Sequence, residues 1–158
     1  MSLTLTSCLT MLMIIAFFSS KKFLHIFEQL FILFLLVLGY ASFMSIIYVN
    51  LELWEISQKL QDLVAFRLNE IIYVPLTILW FIDLWLRAKR NLLKWGLLLI
   101  WLLILLYTGD YILRFYSVYQ YHNWNNMILG VVWILIFVIT ILAQRFFRLL
   151  LKKEGIIL

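Results

Sequence analysis

The stretch LLKWGLLLIWLLILLYTGDYILRFY, Leu92–Tyr116, decides what kind of protein this is. Nothing between Trp95 and Asp110 carries a charge, and no polar face recurs at helical spacing. At about 1.5 Å per residue such a run is long enough, as a helix, to cross a hydrocarbon layer of about 30 Å. The rest of the chain agrees. Of 158 residues, 66% are hydrophobic and 13% charged, where a soluble domain usually carries about 25% charged residues. Mean hydropathy is +1.04. One proline and five glycines leave little turn material.

Working outward from that stretch, four more apolar segments stand out: about 3–18, 23–49, 70–86 and 124–143, with the quoted one at 92–116. Each is expected to be helical, because in lipid every backbone N–H and C=O has to be paired inside its own segment. The runs are too long, and lack the period-two alternation, for a closed barrel. The fold class is therefore all-α, a single domain of five transmembrane helices.

Charge sets the direction. Lys21 and Lys22 follow the first segment; Arg87, Lys89, Arg90 and Lys94 join the third to the fourth; Arg145, Arg148, Lys152 and Lys153 follow the fifth. With five spans these all fall on one side, and only Lys59, Arg67 and Arg114 fall on the other. The positive-inside rule makes that side cytoplasmic, with the N-terminus out and the C-terminus in. Tyrosines gather in the other, outer half, apart from Tyr40. Trp54 and Trp124 suit an outer aromatic belt, Trp85 and Trp95 an inner one. The first segment has its positive charges after the apolar run, and lacks the n-region and small-residue cleavage site of a signal peptide, so it reads as a retained span.

Two outer connections follow. YQYHNWNN, Tyr119–Asn126, is a short loop, either a plain interfacial turn or a binding element. LELWEISQKLQDLVAFRLNE, 51–70, places Glu52, Glu55, Lys59 and Asp62 on one helical stripe beside Leu53, Ile56, Leu60 and Leu63. That spacing predicts a short outer amphipathic helix over 51–69, or a helical continuation of span two or three.

Ionisable residues at membrane depth are candidate functional groups. His25 and Glu28 open span two beside Lys21 and Lys22, within reach of the cytoplasmic headgroups. Asp83 stands four residues before Arg87, an acid–base pair close to water. Asp110 lies in the outer third, roughly 22 Å from Trp95 along the helix axis, with Arg114 at i+4. Gly109 beside it admits close helix packing. Glu70 opens span three at similar height, and Pro75 is expected to kink that span by freeing the carbonyl of Ile71. Glu70, Asp110, Arg114 and His122 either converge on one outward cavity or anchor separately. His122 is expected near Glu55 or Glu70.

Chemistry of other kinds finds no support. There is no HExxH, Walker loop, GxSxG or paired-cysteine motif, and one cysteine with two distant histidines makes no zinc pattern. The expectation is no enzyme activity, no cofactor and no metal. The net charge of +5 sits in clusters beside apolar runs, so it writes topology and not nucleic-acid binding. The expected partners are the lipid bilayer and other membrane subunits or further copies of the chain. The leading function is a subunit or accessory of a membrane assembly; the alternative is a small transporter or channel component.

LELWEIS after span two, the proline within IIYVPLTILWF and YHNWN after span four together resemble a family of small polytopic membrane proteins of spore-forming, Bacillus-type Firmicutes. The resemblance covers about Lys21 to Trp133. It departs at Asn123, which abuts Trp124 where a glycine is expected between them. The resemblance implies four or five helices and a plasma-membrane location, the spore membrane included. It also implies one outward constellation of Trp54, Glu55, Pro75, Tyr121, His122, Asn123 and Trp124. It carries no activity over.

Overall fold

The computed structural model describes residues 1–88, 92–121 and 126–156. Lys89, Arg90, His122, Asn123 and Trp124, all singled out above, lie outside the described residues. Five helices are long and apolar enough to cross a membrane: Ser2–Ser19, Ile26–Asn50, Leu60–Arg87, Leu92–Phe115 and Met127–Lys153. They are spans one to five of an all-α bundle. Two short strands, β1 (Trp54–Ile56) and β2 (Tyr119–Tyr121), pair antiparallel across one end. That end is the ribbon end; the other, where Lys21, Lys22, Arg87, Arg148 and Lys152 cluster, is the basic end.

Span three is the core. In its most apolar window 61% of residues are buried, against 28% in spans one, two and four. Spans one, two and four all pack on it, and span five closes the bundle against span two. Association in lipid has no hydrophobic driving force between helices, so contacts rely on small side chains, close packing and polar pairs. Span one buries Ser2, Thr6, Thr10, Met13 and Phe17, a seam recurring every three or four residues. Its threonines return their hydroxyls to the carbonyl four residues back, Thr6 to Ser2 and Thr10 to Thr6, and so stay satisfied without water. Span two buries Glu28, Ile32, Leu36, Tyr40 and Met44 on the same rule.

Several expected boundaries shift. The amphipathic helix over 51–69 is not a separate element. Its first part is β1; its second part, from Leu60, is the opening of span three, and the helix runs unbroken to Arg87. The physical reason is pairing: β1 satisfies its backbone on β2, and Asp62 in the first helical turn accepts from the Ser57 and Ser2 hydroxyls, both at 2.8 Å. An acid there also suits the helix dipole. Span five runs on to Lys153, so Arg145 and Arg148 lie within the helix and do not follow it.

Pro75 is accommodated by widening. Residues Asn69–Tyr73 form a π-helical turn in which the Val74 N–H reaches back five residues to the Asn69 carbonyl. A turn with an extra residue relieves the clash that a proline ring imposes on the preceding turn. Span four then nests on this turn. Gly109 faces it, and a Cβ there would stand 2.5 Å from Tyr73 Cε1 and 2.9 Å from Asn69 Oδ1. The Tyr73 hydroxyl donates across to the Leu105 carbonyl at 2.7 Å.

Candidate functional site

At the ribbon end the two connections are built alike. Span two ends in a wide turn in which the Leu53 N–H bonds the Ile47 carbonyl, with Glu52 left-handed at φ 49°. Span four ends with Ser117 N–H on Arg114 O and Val118 N–H on Leu113 O, with Ser117 left-handed at φ 52°. The latter is the Schellman pattern, in which a left-handed residue turns the chain off the helix axis. Each turn delivers three residues of strand. Trp54 pairs with Tyr121, Glu55 with Gln120 and Ile56 with Tyr119, and the Ser57 N–H extends the ladder to the Val118 carbonyl at 2.8 Å.

Strand alternation divides the ribbon into two faces. Glu55 and Gln120 are exposed; Trp54 and Tyr119 are buried on the bundle. The Trp54 and Tyr119 rings stack with centroids 4.7 Å apart and 4° between planes, and Phe66 of span three meets Tyr119 edge-on. Beneath them lies Asp110, 3% exposed. Its Oδ1 accepts from the hydroxyls of both Tyr119 and Tyr121, and Arg114 Nη2 lies 2.9 Å from its Oδ2. The Arg114 guanidinium also covers the Tyr121 ring at 4.9 Å. Asp110 therefore fastens the ribbon to span four. Burial, and after it the Asp110 charge, hold both phenols above their ordinary range, Tyr119 well above it.

Glu70 is also buried, at 1% exposure, but pairs with its own arginine, Arg67, at 2.5 Å. Arg67 in turn donates to the Tyr48 hydroxyl at 2.9 Å. Glu70 and Asp110 thus sit on neighbouring spans with separate cations, joined through the Asn69–Gly109 contact. Pro75 is buried below Glu70 within the bundle. None of Glu70, Asp110, Arg114 and Pro75 lines the cavity at the ribbon end. That cavity, about 710 Å³, opens between β1 and the ends of spans two and three, with walls that include Tyr48, Glu52, Trp54, Glu55, Phe66 and Arg67.

The basic end corrects two expectations. Glu28 does not reach out to headgroups; it is fully buried. Arg148 of span five turns inward and grips it with Nε at 2.6 Å and Nη2 at 2.9 Å; Gln144 adds a bond at 2.7 Å and the His25 N–H another at 2.9 Å. The last of these is half of a capping box that starts span two at His25. Asp83 is 1% exposed rather than close to water. Its nearest partners are the N–H groups of Phe23 and Leu24, at 2.7 and 2.9 Å, with Arg87 farther at 3.5 Å. It caps the turn between spans one and two, and Arg87 reaches the Lys21 carbonyl in the same turn.

The residues that sequence reasoning missed fall into two kinds. Tyr119 carried a signal: WEI and YQY both alternate apolar, polar, apolar, which is strand patterning. Gln144, the link from Arg67 to Tyr48 and the inward role of Arg148 carried none, since those partners are set by packing between distant segments; Arg67 and Glu70, at i and i+3 of one helix, were readable as a pair. No protein-family model, curated protein or solved structure matches this chain.

Proposed function

We propose that this multi-pass membrane protein is a non-enzymatic subunit or accessory of a larger membrane assembly, oriented with its ribbon end outside and its basic end in the cytoplasm. The observation that carries this reading is the use made of the buried carboxylates. Glu28, Asp83, Glu70 and Asp110 are each held by an arginine, and three of them also by amide, backbone or phenol donors. Charges held in this way act as struts between segments. Catalysis and proton relay ask instead for groups that exchange partners during a cycle. The resemblance in LELWEIS, Pro75 and YHNWN supports a home in the plasma membrane of a spore-forming bacterium, the spore membrane included.

The test is extraction of the tagged protein in mild detergent, paired with cross-linking in intact membranes. The expected outcome is one or more membrane polypeptides present in fixed ratio by both routes. A chain that runs alone by both routes overturns the reading. One observation favours the rival, a small transporter component: the cavity of about 710 Å³ at the ribbon end. That reading requires solute flux in proteoliposomes containing this chain alone.

A further inference from the structure

We propose that the cavity at the ribbon end is a binding site for an organic cation, an ammonium group carried on an apolar or aromatic body. Size comes first. About 710 Å³ lies within the range of small-molecule pockets and far exceeds what a bare ion fills. Among the described residues no cluster of three histidine, cysteine, aspartate or glutamate side chains could hold a metal ion.

Charge then selects among organic ligands. The cationic member of the wall, Arg67, is neutralised by Glu70 at 2.5 Å and engaged by the Tyr48 hydroxyl. The Ser57 hydroxyl is spent on Asp62. Glu52 and Glu55 remain, both exposed at the cavity wall, with no ion pair to any described residue. Among the described residues, the wall therefore holds two carboxylates without a paired cation, which repel an anion and attract a cation. The rest of the lining suits the ligand's body. Tyr48, Trp54 and Phe66 belong to the wall, Tyr48 partly exposed and the other two buried, and an exposed ring attracts a cation through its quadrupole. Gln58 and Gln120 offer amide oxygens, whose partial negative charge suits a cation. The position of Glu52 is imposed by the fold: it is the left-handed residue that turns span two into β1, and it lines the same cavity as Glu55.

The site stands apart from the struts. Its two carboxylates touch neither the Asp110 cluster nor the basic end, so they can be changed without loosening the bundle. The experiment uses the full chain in an uncharged maltoside detergent, titrated calorimetrically with benzyltrimethylammonium, with benzoate and methyl glucoside as anionic and neutral probes. Saturable binding of benzyltrimethylammonium alone is expected, weakened by added salt and by about tenfold or more in the double variant Glu52→Gln with Glu55→Gln. The variant Glu154→Gln, an exposed change at the other end, is expected to bind as the parent does. Melting temperatures of the unliganded proteins verify that all three are folded. No saturable binding of the cation overturns the proposal, and so does equal affinity in the double variant. Methyl glucoside binding as well as the cation would overturn it in favour of a saccharide site.

Discussion

A methyl group on Gly109 has nowhere to go, because Tyr73 and Asn69 already occupy its place. Both are buried, and Tyr73 is held by the Leu105 carbonyl, so neither swings away freely. Gly109→Ala is therefore expected to destabilise by about 1–3 kcal/mol, the usual range for overpacking. Gly96→Ala on the same helix, where nothing lies within 4 Å, is expected to change stability by less than about 0.5 kcal/mol. Thermal melts of the two purified variants check this, and equal losses would mean that spans three and four do not approach as closely as described. Tyr119 and Tyr121 make a second prediction at this scale. Their folded pKa values are raised, by burial first and by Asp110 second. A raised folded pKa means that the folded state favours the phenol. The contribution is full below the unfolded value near 10 and is lost as pH rises through the folded value. In the folded protein near pH 11, tyrosinate absorbance is thus expected to be unchanged by Tyr119→Phe with Tyr121→Phe. A clear drop in the variant would show that the phenols are open to solvent.

At the scale of elements, the ribbon is the least expected feature, and its register can be tested directly. Glu55 and Gln120 are opposed across the ladder on its exposed face. Opposed residues of an antiparallel pair have Cα atoms about 4.5–5.5 Å apart, within disulfide reach. With Cys8 replaced by serine, Glu55→Cys with Gln120→Cys is expected to oxidise to an intramolecular disulfide, visible as a mobility shift on a non-reducing gel. Moving the first cysteine one residue, to Ile56, turns it to the bundle face and is expected to abolish the bond. Oxidation in both variants would mean that the loops are mobile, not paired. The helical elements were legible in outline because their signal is local: apolar length, charge at the ends and the need to close backbone hydrogen bonds within each span. The ribbon was not read as strand. A three-residue strand lies below the length at which alternation stands out, so the polar stripe of Glu52, Glu55, Lys59 and Asp62 read as a helix and Tyr119–Asn126 as a short loop.

On the scale of the whole molecule, the Glu28 site joins span two to span five across 120 residues of sequence. Glu28 accepts from Arg148, Gln144 and the His25 backbone, so its removal leaves several buried donors unpaired. Removing Arg148 leaves the carboxylate still held by Gln144 and His25. Breaking a buried pair from one side costs about 3–5 kcal/mol, and Glu28→Ala is expected at the upper end of that range and Arg148→Ala below it. Unfolding midpoints of the two variants, read in the same detergent, decide the order; the reverse order would place Glu28 in water. Orientation belongs to this scale as well. A cysteine at Gln58 is expected to react with an impermeant maleimide on intact cells and one at Lys153 to stay unlabelled until lysis. The opposite pattern would invert the molecule in the membrane.

The sequence by itself determined the class of fold, the number of spans and the side on which basic residues gather. These follow from composition and order along the chain, because a bilayer acts on each segment separately. It also marked Asp110 and Arg114 as a pair, since i and i+4 on one helix are neighbours whatever surrounds them. Only the tertiary structure decided which span is central, that Arg148 meets Glu28, and that the cavity at the ribbon end is walled by Tyr48, Glu52, Glu55 and Arg67 rather than by Glu70, Asp110 and Arg114. Helix faces in so apolar a chain look alike in sequence, and the choice between lipid and protein is made by which faces fit one another: threonines of span one on span three, Gly109 on a proline-widened turn, Arg148 turned inward on Glu28.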